Sequence, residues 1–525
     1  MRYLLILIAL PSMLTLQAQD TAYWQQDLKY DINVTLDDKA KTLDGNVNIQ
    51  YKNNSPDTLN FIWFHIWPNA YKNKTTALFQ QILNDNSRRE KLPEPLVYGS
   101  INGLNFKVDG KVAKTEAHPN PQYIDIIKVL LPSPLLPGAT AQVQTPFKVK
   151  LPTYFSRSGF ADGQFMICQW YPKPAVYDKK GWHEFPYLDM GEFYSEYADY
   201  KVNITLPAAY VVGATGVLQT EDELAQYKEI GKKNTENRKG TPVLYKPKDG
   251  KKTLTYTAQT VPDFAWFAEQ NIVLQYDTLK LPSGKIVDAF TFYKNKPDNI
   301  WSNSIDYVKD ATRKYSEWIG EYEYPTVQAF EGPKNNASGG MEYPMITLIT
   351  QPDANKEALD GVITHEVGHN WFMSMLGSNE RDHTWQDEGL NTYYQFRYEA
   401  EKYRYNSIFG DQIPVELKKF PLPQFLRAIY SAFSNIPMEA PIDQTATGFK
   451  TAEEYGMIAY LKPAVWLYIL ESKYGSYKVD KAFQEYFQQW KNKHPQPEDM
   501  KAAFEKSFGE DLTEYFNLLN KKGMF

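Results

Sequence analysis

Two histidines with a glutamate between them stand at His365-Glu366-Val367-Gly368-His369. On a helix, residues four apart lie one above the other, so both imidazoles can reach one ion. Zinc accepts such a nitrogen pair, and a catalytic zinc needs a third protein ligand and an open position for water. Glu388 follows His369 after eighteen intervening residues, within Trp385-Gln386-Asp387-Glu388-Gly389-Leu390-Asn391. That gap lets the first helix end near Leu376-Gly377, a loop turn back, and a second helix present Glu388 to the metal. The longer motif that draws its third ligand from a further histidine needs glycine at 372 and histidine at 375, where Phe372 and Met375 stand. His383 is the other nearby histidine and is expected exposed in a polar loop. Glu366 is flanked by the ligands and is placed beside the water. Zinc lowers that water's pKa from about 15.7 towards 7, and a carboxylate can then take its proton and pass it to the leaving amine. One Zn2+ per chain is the expected cofactor.

The elements that must carry these residues are legible in outline. Tyr30–Leu36 and Gly45–Tyr51 alternate polar and apolar residues, with Asp37-Asp38-Lys39 in the turn region between them. Similar strands recur at Tyr200–Leu206 and Lys252–Ala258, and the polar stretch Gln219–Lys252 reads as a surface excursion or long hairpin. The texture changes near residues 275–300. A helix is expected over Asn299–Ile319, strands at Pro325–Phe330 and Met345–Thr350, and long helices from Glu357 onward.

Composition sets the class. The 525 residues are 42% hydrophobic and 23% charged, with 38 Tyr and 12 Trp, as in a soluble globular protein of two or three domains with β-rich parts. A net charge of -6 without a basic stripe argues against nucleic acid as a partner. Met1–Ala18 reads as a signal peptide: Arg2 opens it, Leu4–Leu10 and Met13–Leu16 form its apolar core, and Leu16-Gln17-Ala18 offers a cleavage site. Export to the periplasm or medium follows, with no stable membrane anchor after cleavage, because the apolar run is short of a spanning helix. Cys168 is the only cysteine, so no intrachain disulfide forms.

With its eighteen-residue gap and its W-x-x-E-G context, the metal motif resembles the aminopeptidase N-like family of gluzincin zinc metallopeptidases. Gly339-Gly340-Met341-Glu342-Tyr343 is similar to that family's G-x-M-E-N segment, and Tyr460-Leu461-Lys462-Pro463-Ala464 to its Y-x-K-G-A segment. The resemblance implies that Glu342 binds a peptide's α-ammonium, that Gly339, Gly340 and Met341 pair with its backbone, and that Tyr460 stabilises the oxyanion. Gln169, in Gln169-Trp170-Tyr171-Pro172, would contact the amine. The implied fold is α+β: an amino-terminal β-sandwich or saddle domain (19–278) after the signal peptide (1–18), then a thermolysin-like mixed α/β and helical catalytic domain (279–525). The implied activity is removal of amino-terminal residues from peptides. An endopeptidase on the same metal, a catalytically weak peptide-binding protein and epoxide hydrolysis, known in one branch of the family, are the alternatives. Tyr343, Asp387 and Pro463 depart from the family's usual Asn, Asn and Gly, and Tyr171 stands where relatives often carry a second amine-binding group. These departures bear on exopeptidase strictness and leave the zinc ligands untouched.

Overall fold

The computed structural model describes residues 23–246, 249–297, 299–335, 338–352, 354–403 and 439–523. The expected signal peptide lies outside them.

The amino-terminal half is built on a nine-stranded sheet. In its central strand Asp27–Asp37, Leu28, Tyr30, Ile32, Val34 and Leu36 are buried while their neighbours face outward, as a two-residue period requires. That strand pairs antiparallel with Thr42–Lys52 (Ile32 opposite Val47) and parallel with Ala198–Pro207 (Val34 opposite Ile204). Tyr30 and Tyr200 stack at 4.6 Å across the parallel pair. Two four-stranded sheets and a two-stranded one complete the half among the described residues.

The polar stretch after Gln219 departs from the expected hairpin. Glu221–Glu236 is a helix, packed on the strand Ile272–Lys280. Asn234 donates to Leu274 O at 2.8 Å and Thr235 to Tyr276 O at 3.0 Å, so polar side chains share the docking with the buried Tyr227 and Ile230. Acidic Glu221, Asp222 and Glu223 favour its first turn.

The second half holds a five-stranded sheet whose first strand is Ile272–Lys280; the expected division at residue 278 falls inside that strand. Ile286–Lys294, Thr326–Glu331 and Ile346–Ile349 follow in parallel, and Gly340–Tyr343 closes one edge antiparallel to Ile346–Ile349. Two helices, Ser304–Trp318 and Lys356–Gly368, pack over this sheet, and Glu388–Tyr403 packs against them from the far side. They approach closely at Gly368, where a Cβ would meet Asn391 Oδ1 at 2.0 Å. Asn355 caps the metal-motif helix through Ala358 N.

That helix stops earlier than the expected Leu376-Gly377. His369 is its C-cap, and Asn370 ends it by donating to Val367 O at 2.9 Å while accepting from Met345 N at 2.8 Å. The side chain both satisfies a terminal carbonyl and ties the helix end to the sheet. One π-helical turn, Gly456–Leu461, carries Tyr460 and runs directly into Lys462–Tyr474. Among the described residues no helix is long and apolar enough to cross a membrane.

Candidate metal and active site

His365 and His369 project from the last turn of their helix, and Glu388 opens the next one, preceded by the short turn Thr384–Gln386. The two Nε2 atoms lie 3.1 Å apart; Glu388 Oε2 lies 3.2 Å from His365 Nε2 and 3.4 Å from His369 Nε2. Four tetrahedral ligands at about 2.0–2.1 Å from zinc stand roughly 3.3–3.4 Å from one another, so the triangle has the size a zinc ion needs.

The outer contacts fix the chemistry of the triangle. His365 Nδ1 lies 2.8 Å from Gln395 Oε1, whose amide nitrogen donates to Glu399. His369 Nδ1 lies 2.5 Å from Asp387 Oδ1. Each Nδ1–H is thereby committed to an oxygen acceptor, and both Nε2 atoms turn lone pairs toward a carboxylate. Three converging acceptors with no donor between them call for a cation. Burial opposes a charge on His369, but Asp387 and Glu388 outweigh it and raise the imidazole well above its usual range. Burial also opposes charge on Glu388, yet His369 and His365 hold that carboxyl far below the usual range. Both shifts favour positive charge at this point, and a divalent cation supplies more of it than a proton does. The residues present fit zinc.

A cavity of about 400 Å³ opens onto the triangle. Glu366 lines it beside the ligands, with Oε2 buried and unpartnered. Burial pushes its carboxyl up to about 8, against the attraction of His369. Gly340 on the edge strand makes room for it, since a Cβ there would stand 2.5 Å from Glu366 Oε1. Gly339, Met341 and Glu342 line the same cavity, on the edge strand and at its start. Tyr460 OH donates to Glu388 Oε1 at 2.6 Å, and its ring lies nearly parallel to that of His365. Tyr455 packs edge-on against it and also lines the cavity, its hydroxyl buried without a partner.

Glu342 offers an oxygen within 4.8 Å of ligand atoms of both Glu366 and His369. Burial, then repulsion from Glu192, raises its carboxyl well above the usual range. Glu192 is the residue that sequence reasoning missed. Oxygens of Glu192, Glu342 and Glu388 lie within 4.8 Å of one another, and Glu192 lines the cavity. The buried Arg157 holds it from behind, with Nε donating to Oε2 at 3.0 Å and Nη2 to Oε1, while Nη1 donates to Leu188 O at 3.0 Å. The only signal in the chain was an acid among aromatics, Gly191-Glu192-Phe193-Tyr194, one hundred and fifty residues before its partner.

Gln169 does not line this cavity. Its side chain accepts from Tyr343 OH at 3.4 Å and donates to Asp263 Oδ2 at 3.5 Å, in a small void behind Glu342. His383, expected exposed, is half-buried with Nδ1 2.5 Å from Asp443 Oδ1, and is no part of the triangle.

Residues 305–518 match the description "Peptidase family M1 domain". The chain is 26% identical over 279 residues to a leucine aminopeptidase 2 of Emericella nidulans, a match covering 50% of this chain and 41% of that protein. With a leucine aminopeptidase 2 of Coccidioides immitis it shares 25% over 222 residues, 40% of this chain and 33% of that one. The matches therefore span less than half the length of these relatives. The fold is similar to a crystal structure of an M1 zinc metallopeptidase from Deinococcus radiodurans, with TM-score 0.61, 16% identity, and 95% and 94% of the two chains covered. It is also similar to Legionella pneumophila aminopeptidase A in complex with aspartic acid, with TM-score 0.63, 15% identity, and 96% of this chain and 50% of that one covered. The near-full-length match to the Deinococcus radiodurans structure covers both the β-rich half and the mixed, then helical, half. Every ligand of the triangle, with Glu342, Glu366 and Tyr460, falls inside residues 305–518, the span that matches the peptidase family M1 domain.

Proposed function

We propose that this chain is a zinc aminopeptidase that removes amino-terminal residues from peptides. The observation that carries the reading is the short distance between Glu342 and the metal triangle: an oxygen within 4.8 Å of His369 and Glu366 leaves room for one residue between an anchored amine and the reacting carbonyl. Glu342 and Glu192 bind the α-ammonium, which relieves the repulsion between two buried carboxylates and penalises an acylated end. The edge strand at Gly339–Met341 pairs with the peptide backbone, as an unpaired sheet edge readily does.

His365, His369 and Glu388 would hold zinc, which when bound would supply Lewis-acid polarisation and an acidified water. Glu366 would serve as the base beside the ligands, holding the attacking water's proton and passing it to the departing amine. Tyr460 turns its hydroxyl from Glu388 to the carbonyl oxygen as charge gathers there. The apolar segment Met1–Ala18 supports export of the enzyme to the periplasm or medium.

The test is hydrolysis of matched free and N-acetylated peptides by the wild type and Glu342→Ala. The reading expects the wild type to prefer free amines and the variant to lose that preference. Faster cleavage of acetylated peptides by the wild type would favour an endopeptidase instead.

A further inference from the structure

One end of the cavity is walled by a piece of the amino-terminal half. Ala77–Asn84 and Asn86–Arg89 are short helices between the strands Leu59–His65 and Ser100–Asn102. Asp85 joins them, capping the second through Ser87 N at 2.9 Å, while its other oxygen accepts from Ala452 N in the catalytic half at 2.8 Å. Gln81 Oε1 accepts from Asp189 N and Met190 N at 2.8 and 2.9 Å, so the same excursion fixes the loop that leads to Glu192.

Arg88 lines the cavity from this wall. Its Nε donates to Asp189 Oδ2 at 2.5 Å and its Nη2 pairs with the same oxygen, whereas Nη1 has no hydrogen-bond partner among the described residues. Arg157 Nη2 donates both to Asp189 O and to Glu192 Oε1, which places Arg88's partner next to the amine anchor. A guanidinium paired with one carboxylate is neutral as a unit yet keeps directional N–H donors on its open edge.

We propose that Arg88 is a specificity-determining residue, donating from Nη1 to a carbonyl or carboxylate oxygen at the tip of the substrate's first side chain. This rests on the aminopeptidase reading and names its substrate class: peptides that begin with an amide- or acid-tipped residue. A purely structural Arg88–Asp189 pair would affect all substrates alike.

The experiment compares kcat/KM for the 4-nitroanilides of glutamine, glutamate and norleucine, the last an apolar analogue of similar length. Arg88→Met removes the donor, and Arg88→Met with Asp189→Asn removes it without stranding a buried carboxylate. Free glutamine and norleucine are also compared as ligands by their shift of the thermal midpoint of the zinc-loaded protein. The wild type is expected to favour glutamine or glutamate over norleucine, and either variant to lower that ratio by about 10–100-fold. Equal losses for glutamine and glutamate identify a hydrogen bond, and a larger loss for glutamate identifies charge; both support the proposal. An unchanged ratio, a uniform fall, or a wild type that prefers norleucine overturns it. A wild type that cleaves none of these free-amine substrates overturns the aminopeptidase reading as well.

Discussion

Glu366 and the two tyrosines are where single atoms decide the chemistry. Glu366→Gln keeps the three ligands and removes the base; zinc content should stay that of the wild type while kcat falls by about 10²–10⁴-fold. Metal analysis beside steady-state kinetics checks both halves of that statement. Tyr460 touches Glu388 and Tyr455 does not, although both residues line the cavity. Tyr460→Phe should therefore cost about 10²–10³-fold in kcat with little change in KM, as loss of an oxyanion donor does. Tyr455→Phe should cost far less, and the reverse order would hand the role to Tyr455. The metal motif was legible at this scale because its spacing encodes its convergence, and Glu342 because Gly339–Tyr343 resembles a family segment. Glu192 was not, because a loop held by Arg157 brings it to Glu342 through tertiary packing alone.

At the scale of elements, the edge strand and the metal-motif helix share a boundary with no slack. A methyl on Gly340 would stand 2.5 Å from Glu366 Oε1 and must displace that carboxylate or the strand. Gly340→Ala should retain zinc and lose most activity, a pairing that metal analysis and kinetics would reveal together. The alternating strands were readable because each buries one clean face. Two elements were not. The helix Glu221–Glu236 docks with Tyr227, Gly231 and Asn234, too polar a stripe to register as a helix face. The metal-motif helix ends at His369 because Asn370 satisfies Val367 O and binds Met345 N, a contact with the turn between two strands that local periodicity does not contain.

Across the whole molecule, buried carboxyl groups make stability depend on pH. Asp125 lies deep in the amino-terminal half, its Oδ2 accepting from Tyr187 N at 2.7 Å and its Oδ1 unpartnered. Burial raises its carboxyl from 3.8 to about 7. The folded state thus holds a proton that the unfolded chain has lost between those values. This contribution to stability is full below about pH 4 and is lost as pH rises through 7. Asp125→Asn should raise the thermal midpoint relative to the wild type more at pH 8 than at pH 4, and an equal shift at both would refute the assignment. Removing zinc should lower the midpoint too, because the ion joins the ends of two helices and quiets three acceptors. At a hundredfold excess over Kd the linkage is worth about 2.7 kcal/mol.

The catalytic outcomes depend on a metal held by His365, His369 and Glu388. X-ray absorption on protein purified without chelators measures that directly. One zinc per chain, with two imidazole nitrogens and a carboxylate oxygen at about 2.0–2.1 Å, is the predicted result. A folded sample without stoichiometric zinc, or a spectrum unchanged in Glu388→Ala, would contradict it.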